Sequence, residues 1–163
     1  MIVFGIDPGS RITGFGVIDV KGSQIQCLDY GAVKGIRRGA GNDFPARLQR
    51  IYEQLVTCLK KHRPAVVAVE DVFHAVNAKA ALRLGQARGV ALLAAAKSGA
   101  SIFEYSPLEV KKAVVGYGRA DKQQMQMMVS VLLRLDKKPE PHDAADALAI
   151  AICHGLRSSV VRG

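Results

Sequence analysis

Met1-Ile-Val-Phe-Gly-Ile-Asp-Pro-Gly9 opens the chain with an apolar run that ends on an acid and a turn. A short apolar run bounded by turn residues marks a strand buried on both faces. Ala65-Val-Val-Ala-Val-Glu70 repeats the design, again with a carboxylate at the end. Between them, Ile12–Val20 and Gln24–Val33 read as strands joined at Lys21-Gly22, so the first three strands form an antiparallel meander. Phe44, Leu48, Ile51, Tyr52, Leu55 and Leu59 then follow helical spacing, with Asn42 or Asp43 as cap and Pro45 in the first turn. That helix can return the chain, which makes strands 1 and 4 parallel. The basic segment Gly35–Gly41 connects it to the meander.

Further along, residues 78–97 predict a long helix and Ser101–Tyr105 a short strand. Ser106-Pro107 starts another helix with serine as cap and proline first. Gly116-Tyr-Gly118 breaks it, and Lys122–Leu135 resumes helical spacing. Pro139 and Pro141 precede a last helix from about His142 to His154. The expected fold class is α/β, a five-stranded mixed sheet flanked by helices. Residues 1–156 read as a single domain and 157–163 as a short, frayed basic tail.

Lys and Arg number 23 and Asp and Glu 14, a formal net charge of +9. This excess favours a polyanionic partner, most often nucleic acid, although a basic ribosome-associated protein has the same balance. Cys27, Cys58 and Cys153 form no C-x-x-C pair, which fits a reducing cytosol and inert thiols. The four histidines show no zinc spacing. No charged leader precedes the first strand. The longest apolar stretch, Gly89–Ala96, is too short for a bilayer, so the expectation is a cytoplasmic protein with no membrane partner.

Against this basic background four acids stand out. Asp7 and Glu70 end parallel strands, where sites form in open α/β sheets. Asp143 and Asp146 lie three apart, on one face of the first turns of the last helix. Read singly, Asp7 is a turn acid, Glu70 a solvated strand end and Asp143 a helix cap. Together they would repel unless cations sat between them. Mg²⁺ takes oxygen ligands and keeps positions for phosphate and water. Two such ions about 4 Å apart serve an in-line phosphoryl displacement. Asp71 is set aside because strand alternation turns it to the opposite face. His142 reads as a helix-start histidine facing solvent.

Taken in order, Gly5-Ile-Asp-Pro-Gly9, Glu70-Asp-Val-Phe73, Leu84-Gly-Gln-Ala-Arg-Gly89, Val110-Lys111 with Val115-Gly116, and Asp143-Ala-Ala-Asp-Ala-Leu-Ala-Ile-Ala151 closely resemble the RuvC family of bacterial Holliday-junction resolvases. The resemblance runs from residue 2 to about 155. It implies a ribonuclease H-like fold, a homodimer, and nicking of four-way DNA junctions with two Mg²⁺, or Mn²⁺ in their place, in recombination and repair. It also implies a branch-migration motor, RuvAB, as partner. By matching positions, Asp7, Glu70, Asp143 and Asp146 become the metal-holding catalytic acids. Lys111 and Lys122 match basic residues near the cut strand, and Phe73 matches an aromatic that contacts bases. Some relatives carry histidine where this chain has Asp143, so His142 inherits no role.

Each of these has a physical reading of its own. Phe73 can stack on an unpaired base, a contact worth roughly 1–3 kcal/mol, or sit in the core. Gly116–Lys122, with Tyr117, Arg119 and Lys122, suits a phosphate backbone, or is an ordinary loop. Of Lys111 and Lys112, only one need face the acids. Ala81, Gly85 and Gly89 form a small-residue stripe that admits either the protein's own sheet or a partner helix; the resemblance favours a dimer contact. Two symmetric cuts need a two-fold dimer. Hydrolysis by water leaves a 5′-phosphate and a 3′-hydroxyl. The competing readings are a small actin-like ATPase, from Asp7-Pro-Gly9, and a DNA-binding module without catalysis. ATP hydrolysis without DNA would mark the first, and metal-independent junction binding without cleavage the second.

Overall fold

A computed structural model describes residues 1–36, 43–71 and 76–161. Five strands, β1 (Ile2–Asp7), β2 (Ile12–Lys21), β3 (Gln24–Lys34), β4 (Val66–Glu70) and β5 (Ser101–Tyr105), form one sheet in the order β3-β2-β1-β4-β5. β1 pairs antiparallel with β2, and β2 with β3 across a two-residue turn at Gly22-Ser23, one residue past the expected Lys21-Gly22. β1, β4 and β5 run parallel. The right of way for those parallel pairings comes from α1 (Phe44–His62) and α2 (Ala78–Ser98), each returning the chain across the sheet.

Side-chain alternation gives the sheet two cores. Phe4, Ile6, Val17, Val67 and Val69 face α1 and α2, meeting Ile51, Leu55 and Leu59 from the one and Ala91, Ala94 and Ala95 from the other. Val3, Ile18, Val20, Val66 and Ala68 face α3 (Pro107–Val115), α4 (Lys122–Leu132) and α5 (His142–Val161). Helix starts are built from local chemistry. Ser106 with Glu109 and Asp121 with Gln124 form capping boxes on α3 and α4. Asn77 caps α2 by accepting from the Ala80 amide. Asp43 holds the cap position of α1 without a side-chain hydrogen bond, and Asn42 lies outside the described residues.

α5 is the central helix of its layer. Ala144, Ala145, Ala147, Leu148, Ile150 and Ile152 are all essentially inaccessible, and burying each Leu or Ile contributes about 1.5–3 kcal/mol. The helix lies so close to the sheet because β1 and β2 carry glycine beneath it. A Cβ on Gly5 would stand 2.0 Å from the Ala147 carbonyl oxygen. α5 also runs on to Val161, past the expected end near His154. Arg157 explains the extension: it pairs with Glu109 at 3.0 Å and lies 5.1 Å over the Tyr105 ring. α4 ends at Leu132, short of the expected Leu135, where the chain passes through Arg134 at φ 52.

The three thiols are free; Cys153 is buried, Cys27 and Cys58 half-buried. Burial pushes all three above the usual thiol range, Cys153 to about 11, which disfavours the thiolate. Among the described residues no helix is long and apolar enough to cross a membrane.

Candidate active site

The parallel register of β1 and β4 aligns Ile6 with Val69, so the next residues, Asp7 and Glu70, end the two strands side by side. Both belong to the face that α5 covers, because Val3 and Gly5, like Val66 and Ala68, point that way. α5 supplies the other two acids. Asp143 stands in its first turn, and Asp146 one turn on projects from the same side. Proximity is secured by Gly14, the cross-strand partner of Asp7, over which the Asp143 backbone passes.

All four acids line one cavity of about 520 Å³, together with Lys111 from α3, and Asp121 and Lys122 from the start of α4. A hollow of about 640 Å³ on another part of the surface, between Ser23–Gln26 and Leu132–Arg134, holds no carboxylate. Chemistry, not size, singles out the acidic cavity. Among the described residues no group of three or more His, Cys, Asp or Glu side chains is placed to hold a metal ion as it stands; the four acids line the cavity wall.

Their electrostatics describe a site short of positive charge. Burial, and then the charges of Glu70, Asp146 and Asp143, push Asp7 up to about 8. Burial and then Asp146 raise Glu70, while a hydrogen bond with Asp7 and the charges of Lys111 and Lys122 pull it back. Asp146 is raised by burial first, with Lys122 opposing. Like charges brought together in a partly desolvated pocket retain protons unless a cation replaces them. Asp7, Glu70 and Asp146, with raised proton affinity, and Asp143 beside them offer hard oxygen donors of the kind that divalent cations take.

The other expected contacts divide. Lys111 lines the cavity, whereas its neighbour Lys112 is exposed outside it. Lys122 lines the rim at the first position of α4; a cation there opposes the helix dipole, and the neighbouring acids offset that cost. Tyr117 and Arg119 are exposed on the loop before α4, outside the lining. Phe73 and His74 lie outside the described residues. Asp71 does turn to the opposite face, where Arg88 of α2 pairs with it at 3.2 Å. His142 is exposed, as expected, yet its Nδ1 also contacts the Gln126 side chain. Sequence reasoning missed Gly14, Asp121 and Arg88. The first left a signal in the glycines of the first two strands, the second in Asp121-Lys-Gln-Gln124, and the third in Arg88 of a helix otherwise rich in Ala and Leu.

The stripe on α2 is also settled in direction. Ala87, Ala91, Ala94 and Ala95 face the sheet, while Ala81, Gly85 and Gly89 are exposed, with open space around the two glycines.

A five-stranded mixed sheet with acids at the ends of β1 and β4 and on the covering helix defines a ribonuclease H-like nuclease fold. Residues 3–154 match the family model described as crossover junction endodeoxyribonuclease RuvC, and the chain belongs to that family, a family of divalent-metal nucleases. It is 51% identical over 155 residues to the RuvC endonuclease of Ruminiclostridium cellulolyticum, covering 95% of this chain and 92% of that one. The structure of Thermus thermophilus RuvC superposes with a TM-score of 0.86 at 35% identity, over 99% of this chain and 97% of that one. T. thermophilus RuvC in complex with a Holliday junction substrate gives the same TM-score, at 33% identity, over 98% and 96%.

Proposed function

We propose that this chain resolves four-way DNA junctions by paired symmetric nicks in recombination and repair, and that Asp7, Glu70, Asp143 and Asp146 are its metal-holding acids. One observation carries the reading: acids from β1, β4 and α5 line a single cavity beside Lys111 and Lys122, in a chain of the RuvC family. Two Mg²⁺, for which Mn²⁺ can substitute, fit this donor set; such ions activate water and stabilise the leaving oxygen in phosphodiester hydrolysis. Asp7 at the end of β1, Glu70 at the end of β4, and Asp143 and Asp146 on α5 would hold the metal between them.

Lys111 and Lys122 stabilise charge on the strand being cut. Arg119 and Tyr117 hold the backbone from the neighbouring loop, and Phe73 stacks on a base near the junction centre. Residues 1–156 act as one nuclease domain. The unit of function is a homodimer, because each pocket makes one nick; the outward Gly85 and Gly89 with exposed Leu82 and Leu93 on α2 support a packing surface there. A cytoplasmic setting and a branch-migration motor as partner go with this reading. The products carry a 5′-phosphate and a 3′-hydroxyl and can be ligated directly.

The test is a synthetic mobile four-way junction incubated with Mg²⁺ or Ca²⁺, with wild type and Asp7→Asn. Paired nicks are expected with Mg²⁺ alone, and binding without cleavage from the variant. Equal cutting of plain duplex, or full activity in Asp7→Asn, would sink the assignment.

A further inference from the structure

Arg88 approaches the carboxyl end of β4 from the face opposite the acids. Its Nε donates to the Glu70 carbonyl oxygen at 3.2 Å. Its Nη2 lies 3.2 Å from Asp71 Oδ1 and also pairs with Glu104 Oε2 on β5. One guanidinium therefore ties α2 to the last residues of two adjacent parallel strands. The Arg88 side chain is 20% exposed and that of Asp71 30%, whereas Glu104 is 46% exposed, so solvent screens the Glu104 pair the most.

The location matters because the ladder stops here. Tyr105 accepts from the Asp71 amide at 2.8 Å, one residue past the end of β4 at Glu70. The Glu70 carbonyl is thus held by Arg88 at the strand's last supported residue. Asp71 and Glu104 would otherwise face each other as two carboxylates at one strand end, since the ion pairs described for both run to Arg88. A planar fork meets three acceptors in this way; an ammonium on a flexible stem does not.

We propose that Arg88 is a positioning residue for the nuclease site, fixing the backbone of Glu70 so that its carboxylate enters the acidic cavity at the working height. The proposal rests on Glu70 being one of the working acids. A displacement of about 1 Å at a reacting centre costs on the order of 100-fold in rate, so the tie bears on turnover far more than on DNA binding.

The experiment compares Arg88→Gln, Arg88→Lys and Glu70→Gln in the full chain. Single-turnover junction cleavage in Mn²⁺, junction affinity in Ca²⁺, and the unfolding midpoint with and without Mn²⁺ are measured. Arg88→Gln is expected to cut about 10–100-fold slower, with affinity near wild type and a smaller rise in midpoint on adding Mn²⁺. Arg88→Lys keeps the charge without the fork, and recovers part of the rate. If Arg88→Gln does not fold, Arg88→Lys carries the test, slowed cleavage with wild-type affinity being the expected result. Wild-type cleavage by a folded Arg88 variant overturns the proposal, as does a rate loss matched by lost affinity with an unchanged Mn²⁺ response. Wild-type cleavage by Glu70→Gln would instead remove Glu70 from the working acids, a separate failure.

Discussion

The Cβ that Gly14 lacks would stand 1.9 Å from the carbonyl oxygen of Asp143. Gly14 is also the cross-strand partner of Asp7, so one absent methyl group lets the start of α5 descend beside the end of β1. The obstructing atom is helix backbone, which cannot swing aside. Gly14→Ala must therefore lift the first turn of α5. The expected result is a loss of about 1–3 kcal/mol in stability, typical of overpacking, with cleavage falling on the order of 100-fold or more. Denaturant unfolding and junction cleavage read the two effects separately; a variant with wild-type activity would show that the close approach is dispensable.

The acids also set a pH dependence. Asp7 is raised from 3.8 to about 8, by burial first and then by Glu70, Asp146 and Asp143; Glu70 and Asp146 shift the same way. A carboxyl with a higher pKa folded than unfolded binds more protons in the native state, so its contribution to stability is lost as pH rises from the unfolded to the folded value. Metal-free protein is thus expected to lose on the order of a few kcal/mol between about pH 4 and pH 8. Mn²⁺ at pH 8 should restore it, and Asp7→Asn should flatten most of the profile. Calorimetry in a chelator checks this, and a flat wild-type profile would contradict the crowding.

Lys111 and Lys112 are neighbours with different surroundings. Only Lys111 lines the acidic cavity. Lys111→Ala is expected to slow cleavage by roughly 10–1,000-fold, the range for losing a positioned charge at a reacting centre, and Lys112→Ala to change it less than about threefold. Single-turnover rates decide, and equal effects would place both lysines in a general electrostatic role.

The outer side of α2 gives a test of assembly. Nothing lies within 4 Å of a Cβ built on Gly85 or Gly89, so a large side chain there does not disturb the monomer. Gly85→Arg is expected to leave the unfolding midpoint nearly unchanged while raising the dimer dissociation constant more than about tenfold, equivalent to roughly 1.4 kcal/mol. Sedimentation velocity measures it, and junctions should then receive single unpaired nicks. An unaltered dimer would move the interface elsewhere.

The fold was largely legible because its signals are local. Apolar runs at Ile2–Ile6 and Ala65–Val69, the turn expected at Lys21-Gly22 and found one residue on at Gly22-Ser23, and the helical spacing from Phe44 to Leu59 each predict an element that is present. Alternation along the fourth strand even sent Asp71 to the correct side, where Arg88 meets it. The far end of α5 was not legible, because the helix is extended by contacts from Arg157 to Glu109 and Tyr105, residues some fifty positions away in the chain. Arg88 was missed for the same reason: nothing near it in sequence announces Glu70, Asp71 and Glu104 as its partners.

By itself, the sequence determined that four acids would end or begin buried elements, since strand and helix periods depend on near neighbours alone. Their common cavity, the choice of Lys111 over Lys112, and the outward turn of Gly85 and Gly89 were decided only by the tertiary structure. These depend on which faces of distant elements pack together, and on how closely backbone can approach backbone where a Cβ is missing.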